Sequence, residues 1–415
     1  MTLSEELEWR GLVNQTTYKD LSVLNGQPIT FYWGVDPSAD SMQIGNLAAA
    51  MMVKAFIKHG HRPVLLIGGA TGLIGDPDGK AEERQLIDKE QIEKNKQAIT
   101  NQYRTIFSGS EFEIVDNYDW FHSINYLEFL RDIGKHVPMR QMLGREFVES
   151  RLSENGAGIS YAEFSYALIQ AYDFLWLHEN KGVTLQVAGA DQWGNSIAGV
   201  DLIRRKTGNQ THVYSTPLVI DEVTGRKFGK SEGGAVWLDP NKTSPTEFYQ
   251  FWINSADQSV EKYLKIFTEL DKTEIEEIIA KHNEDPGSRY AQRQLASQVT
   301  NLIHGSEATD VAVQITDILT GKSKLASDMD DNLLANLRIE IPSVRASHDS
   351  EIADLIVETG LSSSKTEARK LIAGNAIAIN GQKTTRTRLD DSDFINGRLI
   401  IRRGKAFKDS ALIEL

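Results

Sequence analysis

The chain has 415 residues, two-fifths of them hydrophobic and a quarter charged, with 58 Asp and Glu against 45 Lys and Arg for a net charge of −13. That length exceeds one compact core and calls for two or three domains, while the negative charge excludes indiscriminate binding to nucleic acid or anionic membrane and leaves only local basic patches for such partners. With no cysteine there is no disulfide scaffold and no thiolate metal site, and the composition suits a reducing, cytoplasmic setting.

The acidic start, Met1-Thr-Leu-Ser-Glu-Glu-Leu-Glu8, has neither the basic end nor the apolar core of a signal peptide, and residues 64–75 are too short and glycine-rich to span a bilayer. Residues 5–25 read as a short helical entry region. The β-rich run Ile29-Thr-Phe-Tyr-Trp33 then leads through Gly34-Val-Asp-Pro-Ser-Ala-Asp-Ser-Met-Gln-Ile-Gly-Asn46 into a helical run over 47–59. A strand feeding a loop and a helix N-terminus aims free backbone N–H groups and the positive end of a helix dipole at one point, where anions bind. Asp36 and Pro37 turn the chain, Ser38 offers a hydroxyl, and Gly45 lets a flat ligand approach the backbone. The same pattern also serves as a plain βα connection.

Residues 62–71 form a continuous apolar run ending in glycines, the pattern of a buried parallel strand. The alternation of strand and helix gives an α/β class with a Rossmann-like parallel sheet, whose ligands lie beyond the carboxyl ends of its strands. The second glycine-rich stretch, 68–80, fits neither a Walker A motif nor a dinucleotide fingerprint. It reads as a flexible βα loop or as a second pocket wall, with Thr71 and Asp76 as polar contacts and Lys80 and Arg84 as cations above a phosphate chain. Residues 80–107 read as a solvated helix, 111–115 as a strand, and 118–155 as a set of helices whose apolar run 126–133 serves core packing or a second subunit.

In the helical stretch 160–173, Tyr166, Gln170 and Asp173 share one face, either a solvent-facing stripe or a pocket lining. A buried carboxylate there needs a partner such as a hydroxyl or an ammonium group. The strand 183–189 is followed by Asp191, Gln192 and Asn195 at a helix start, as caps or as ligand contacts. Gly225-Arg-Lys-Phe-Gly-Lys-Ser231 is a basic loop, solvated or acting as a phosphate clamp. Residues 243–304 are helical, and an aperiodic acidic stretch places a linker at 326–347. The last portion, 348–415, is nearly neutral, with eleven Lys or Arg against ten Asp or Glu. Its cations gather at 365–370, 383–388 and 402–408 beside two short strands (376–380 and 399–402), the pattern of a small RNA-binding module.

These stretches, in this order, resemble the bacterial-type tyrosyl-tRNA synthetases, which are class I aminoacyl-tRNA synthetases. Residues 68–80, 163–173, 186–195 and 227–231 carry the resemblance, which spans essentially the whole chain. Residues 36–46 stand where the family has its first signature, usually His-Ile-Gly-His, and 227–231 where it has the second, usually Lys-Met-Ser-Lys-Ser. The end of the chain, including 361–381, is similar to an S4 RNA-binding domain. The resemblance implies a Rossmann-like catalytic domain with a helical dimerisation insertion at 1–220, a signature loop and α-helical domain at 221–325, the linker at 326–347, and a C-terminal α+β S4-like RNA-binding domain at 348–415.

It also implies a homodimer that uses ATP as substrate, with Mg²⁺ on the nucleotide. The carboxylate of L-tyrosine attacks the α-phosphorus of ATP, giving tyrosyl-adenylate and pyrophosphate, and the tyrosyl group then passes to the 3′ end of tRNA(Tyr). By resemblance, Ser38, Gln43, Lys80, Arg84, Lys227 and Lys230 stabilise the departing pyrophosphate. Tyr32 and Asp173 hold the phenol, Asp76, Tyr166 and Gln170 the ammonium group, and Gln192 the carboxylate; Gly45, Asn46, Asp191 and Lys230 serve the ATP side. One departure stands out: the first signature reads Gln43-Ile-Gly-Asn46, without either histidine. Both amides still donate hydrogen bonds, but Gln43 is never cationic, so activity is expected to persist with weaker pH dependence. Two other readings are tryptophan activation, disfavoured because Tyr32 and Asp173 suit a phenol, and an RNA-binding descendant without catalysis, against which Lys227, Lys230, Asp76 and Asp191 count.

Overall fold

The run Arg62–Ile67 carries no polar side chain after its first residue, so as a strand it must be covered on both faces. In the computed structural model, which describes residues 1–77, 86–144, 146–153, 155–220, 225, 230–231, 234–320, 331–404 and 407–415, it is an interior strand of a six-stranded sheet. The chain divides into two compact units, Met1–Asp239 with Ala256–Glu284, and Pro240–Ser255 with Asp285–Leu415.

The first unit contains β1 (Gln15–Thr16), β2 (Thr30–Val35), β3 (Arg62–Ile67), β4 (Glu113–Asp116), β5 (Leu185–Gly189) and β6 (His212–Thr216), in the order β1-β6-β5-β2-β3-β4. All neighbours are parallel except β1 and β6. From β2 the chain adds β3 and β4 on one side, then returns to add β5 and β6 on the other. The order therefore reverses between β2 and β5, which opens a crevice at their carboxyl ends. The connections are helical: α1 (Leu3–Trp9) precedes the sheet, α2 (Ile44–Lys58) joins β2 to β3, and α3 (Gly69–Ile74) and α4 (Lys89–Ile106) lie between β3 and β4.

Short helices from Tyr118 onward and the long helix Tyr161–Lys181 lead into β5, and Trp193–Thr207 joins β5 to β6. The entry region differs from its helical expectation. Beyond α1 and the turn Leu21–Asn25, residues Gln15 and Thr16 pair with Ser215 and Tyr214, so tertiary pairing overrides local propensity. The glycine-rich stretch after β3 is helical over Gly69–Ile74 rather than a loop.

α1 is fastened by charge. Arg10 donates to the carbonyls of Lys265, Thr268 and Leu270 at 2.6, 2.9 and 2.8 Å, capping the end of the helix Asp257–Phe267. The buried Glu6 in turn binds Arg10, Lys58 and His59.

In the second unit, helix Pro245–Ile253 packs on Tyr290–Leu319, which is broken at Gly305 (φ 82°). Strands β7 (Lys230–Ser231) and β8 (Gly234–Ala235) belong to the first unit. The second has β9 (Ser343–Arg345), β10 (Ile377–Ile379), β11 (Gln382–Thr384), β12 (Arg398–Arg403) and β13 (Ser410–Glu414) in one sheet, ordered β11-β10-β12-β13-β9. Side chains alternate across it. Leu399, Ile401, Ala411 and Ile413 join the core of helices Ile352–Glu358 and Lys365–Ala373, whereas Ile400 and Leu412 join Ile315, Leu319, Leu333 and Leu337.

Two strands were expected in 348–415 and four form there among the described residues. Helix Asp331–Glu340 and β9 fall within the stretch read as linker, because acidic composition hid the apolar spacing of Leu333, Leu334 and Leu337. No helix among the described residues is long and apolar enough to cross a membrane.

Burial alone raises the Glu6 carboxyl, but hydrogen bonds from His59, Arg10 and Lys58 bring it down to about 2. Because this lies below the ordinary value of 4.5, the stability it contributes is complete above about pH 4.5 and is lost as pH falls toward 2. Glu6→Gln is expected to cost about 2 kcal/mol at neutral pH and to flatten that acid limb. Urea unfolding from pH 7 to pH 3 checks both.

Candidate functional site

Where β2 and β5 part, a cavity of about 420 Å³ opens inside the first unit. β2 supplies Tyr32, the following loop Asp36, Ser38 and Gln43, and the start of α2 Gly45 and Asn46. Asp76 comes from beyond α3, Tyr166, Gln170 and Asp173 from the helix Tyr161–Lys181, and Asp191 and Gln192 from the turn after β5. Of the residues expected to bind tyrosine or ATP, every one whose side chain is described lines this one space, whereas Asn195, read as a cap or a ligand contact, is buried beside it and bonds Gln192. The stripe of Tyr166, Gln170 and Asp173 faces the cavity rather than solvent. Lys80, Arg84 and Lys227 lie outside the described residues, and Lys230 is described in its backbone, which pairs with Ala235.

The floor is a carboxylate held by two donors. Asp173 is 1% exposed; its Oδ1 accepts from Trp120 Nε1 at 2.9 Å and its Oδ2 from Asn117 Nδ2 at 3.0 Å. Burial pushes its carboxyl well above the usual range, the two donors oppose that rise, and the charges of Asp36 and Asp116 add to it. Burial and the neighbouring Asp173 likewise push the Tyr32 phenol well above its ordinary value.

A second carboxylate ties the walls together. Asp36 Oδ1 accepts from the Thr71 hydroxyl at 2.6 Å and Oδ2 from the Tyr166 hydroxyl at 2.7 Å. Asn117, fully buried, also donates to Thr71 Oγ1 at 3.0 Å and accepts the Ala70 N–H at 2.6 Å. Gly68 sits under this network, where a Cβ would drive into the Asp36 carboxylate and the Thr71 hydroxyl. On the far wall Gln192 donates to Asp76 and accepts from Asn195 Nδ2 at 3.2 Å.

Two backbone donors expected to be free for an anion are already taken. Gln43 N–H donates to Asn46 Oδ1 at 3.0 Å, and Ile44 N–H donates to the Val236 carbonyl at 3.1 Å. Since an N–H only donates, Asn46 must turn its oxygen inward, which frees its NH₂ to donate elsewhere. At Gly45 no protein atom lies within 4 Å of the place a Cβ would occupy, so the glycine faces open space. Among the described residues the Tyr32 hydroxyl, Gln170 Oε1, Gln186 Oε1 and Thr216 Oγ1 are buried around the cavity without a hydrogen-bond partner. Each such group costs about 1–3 kcal/mol, an expense a polar ligand removes.

Asp36 as a hub, together with Asn117, Trp120, Gln186 and Thr216, escaped the sequence reading. Asn117 and Trp120 directly follow β4, and the rule that ligands gather at carboxyl ends of strands applies to them as well. Gln186 is the polar residue in the otherwise apolar run Leu185–Gly189.

The family model of class I tRNA synthetases (W and Y) matches residues 24–320, and that of the tyrosine–tRNA ligase SYY-like C-terminal domain matches 334–408. Over 429 aligned residues, covering all of both chains, the sequence is 43% identical to tyrosine–tRNA ligase 2 of Bacillus cereus and 44% identical to that of Bacillus anthracis. The crystal structure of a C-terminally truncated mitochondrial tyrosyl-tRNA synthetase of Coccidioides posadasii is similar at 32% identity and a TM-score of 0.68. That match covers 76% of this chain and 91% of the other.

Gly68→Ala is expected to break the Asp36–Thr71 bond and to lower stability by about 2 kcal/mol. An unchanged urea midpoint would show that the two side chains do not meet over the glycine.

Proposed function

The chain belongs to the class I tRNA synthetases (W and Y), and from that membership we infer that it is a tyrosine–tRNA ligase. It activates L-tyrosine with ATP to tyrosyl-adenylate and pyrophosphate, then transfers the tyrosyl group to the 3′ end of tRNA(Tyr). The observation that carries this reading is the cavity floor, where the unpartnered Tyr32 hydroxyl and the buried Asp173 carboxylate line one space. A phenol donates to one and accepts from the other. An indole N–H only donates, and a phenyl ring does neither, so both rivals leave buried polar groups unpaired.

Toward the mouth, the Tyr166 hydroxyl spends its proton on Asp36, which leaves its oxygen to accept from the substrate ammonium beside Gln170 and Asp76. Gln192 keeps a second N–H for the carboxylate, and Asp191 takes the adenylate ribose. A carboxylate is already a nucleophile, so acceleration must come from holding it in line with the α-phosphorus and from stabilising charge on the departing pyrophosphate. Ser38, Gln43 and Asn46 serve this from the α2 side, with Lys80, Arg84, Lys227 and Lys230 as the cations. Mg²⁺ accompanies ATP as part of that substrate; among the described residues no cluster of three acidic or histidine side chains is gathered to hold it on the protein.

Tyr126, Leu127, Met139 and Tyr161, between 57% and 72% exposed, give the helical insertion an apolar surface that a second copy of the chain would cover in a homodimer. A cysteine-free chain fits work in the cytoplasm. For tRNA, the basic clusters supply fewer open cations than their sequence promises. Arg386, Arg388, Lys365 and Arg403 pair with Asp393, Asp349, Asp354 and Asp409. Lys370 and Lys383 are exposed and make no ion pair among the described residues, which makes them the first candidates for phosphate contacts.

Tyrosine-dependent exchange of pyrophosphate into ATP tests the reading, and folded protein lacking that exchange overturns it. Tyr32→Phe is expected to weaken tyrosine binding about tenfold and to narrow the preference over phenylalanine. Lys370→Glu with Lys383→Glu is expected to lower kcat/KM for tRNA charging about tenfold at low salt while leaving the exchange reaction unchanged. A fall in both assays would place the lysines elsewhere than on tRNA.

A further inference from the structure

α4 holds a polar side chain at the junction of two loops. Gln102 accepts the Met42 N–H on Oε1 at 2.7 Å and donates from Nε2 to Ser41 Oγ at 2.8 Å. Ser41, 5% exposed, uses its whole hydroxyl, since it also accepts the Asp239 N–H at 3.1 Å and donates to the Met42 carbonyl at 2.8 Å. Alongside, Leu238 N–H donates to the Met42 carbonyl at 3.0 Å, Ile44 N–H donates to the Val236 carbonyl at 3.1 Å, and Gln43 faces Trp237 in an antiparallel bridge. Val236 directly follows β8, whose Ala235 pairs with Lys230 of β7. Gln102 is not among the cavity-lining residues, yet its amide fixes Ser41 and Met42, and Ser41 and the Met42–Ile44 backbone in turn bind the Val236–Asp239 stretch that follows Lys230.

We propose that Gln102 is a positioning residue that sets the register between the two signature segments, so that Gln43 and Lys230 address the same triphosphate. The proposal rests on the ligase reading above. A ribbon of two residues per strand is too short to fix its own place, and the Met42–Ile44 backbone held by Ser41 and Gln102 is one anchor of the Val236–Asp239 stretch that continues it. The amide suits the task because it accepts at one end and donates at the other. A shift of the leaving-group donors by a fraction of an ångström slows the chemical step without touching the tyrosine pocket.

Gln102→Met removes both bonds at nearly constant volume. Gln102→Glu keeps the acceptor for Met42 N–H and holds Ser41 by taking the hydroxyl proton that Ser41 otherwise gives to the Met42 carbonyl, which still accepts the Leu238 N–H. With the full-length protein, Gln102→Met is expected to lower kcat of tyrosine-dependent pyrophosphate exchange about tenfold while equilibrium tyrosine binding stays within about twofold, and Gln102→Glu to restore most of the loss. In a Lys230→Ala background the factor should shrink to within about twofold, because the group whose placement it sets is gone. Unchanged exchange, an equal loss of tyrosine binding, or the same tenfold factor without the lysine each overturns the proposal. A wild type that shows no exchange refutes the ligase reading itself, so the two failures are distinct. If Gln102→Met does not fold, Ser41→Ala, which removes the acceptor shared by Gln102 and Asp239, carries the same expectations.

Discussion

A carboxylate cut off from water needs donors, and the cavity is arranged around meeting that need twice. Asp173 is served by Trp120 and Asn117, and Asp36 by Thr71 and Tyr166. These donors come from three places far apart in sequence: the end of β4, the glycine-rich segment after β3, and the helix Tyr161–Lys181. The carboxylates therefore act as fasteners that fix three walls relative to β2. Asn117 is the joint between them, since one amide reaches Thr71, Asp173 and the Ala70 backbone. Leaving any of these groups unpaired costs kcal/mol rather than tenths, which ties the shape of the cavity to these pairings.

Much of this was legible in the residues. Strand-loop-helix alternation places the sheet, and helical spacing puts Tyr166, Gln170 and Asp173 on one face. What spacing did not disclose is which side that face meets, because a polar stripe toward solvent and one toward a cavity have the same period. Trp120 lies in a stretch, 118–155, whose loudest signal is apolar and helical, and Asn117 falls between that stretch and the strand read at 111–115, so neither carried a signal of its own. β9 and the helix Asp331–Glu340 were lost to acidic neighbours for the same reason: composition averages over a window, whereas packing is decided by single residues such as Leu333 and Leu337.

The missing signature histidines look less drastic beside the local hydrogen bonds. Asn46 spends its oxygen capping Gln43 N–H, a task that an imidazole nitrogen also performs, and keeps a donor on its other side. The replaced property is the ability to carry a proton, not the ability to donate one. Gln43 precedes a helix whose first N–H is occupied by the Val236 carbonyl, so that donor is withdrawn from the anion site expected at the bare helix end.

The second sheet has apolar residues on both faces, Leu399 and Ile401 turned one way and Ile400 and Leu412 the other. A layer covered from both sides has no side left over on which to be lifted away. Cutting the chain ahead of Ile352 would remove Ile400 and Leu412 from the cluster they share with Ile315, Leu319, Leu333 and Leu337 and bare that side of it to water. The tail is therefore no detachable accessory but the middle course of a three-layer wall, and the helices beneath it should melt when it does.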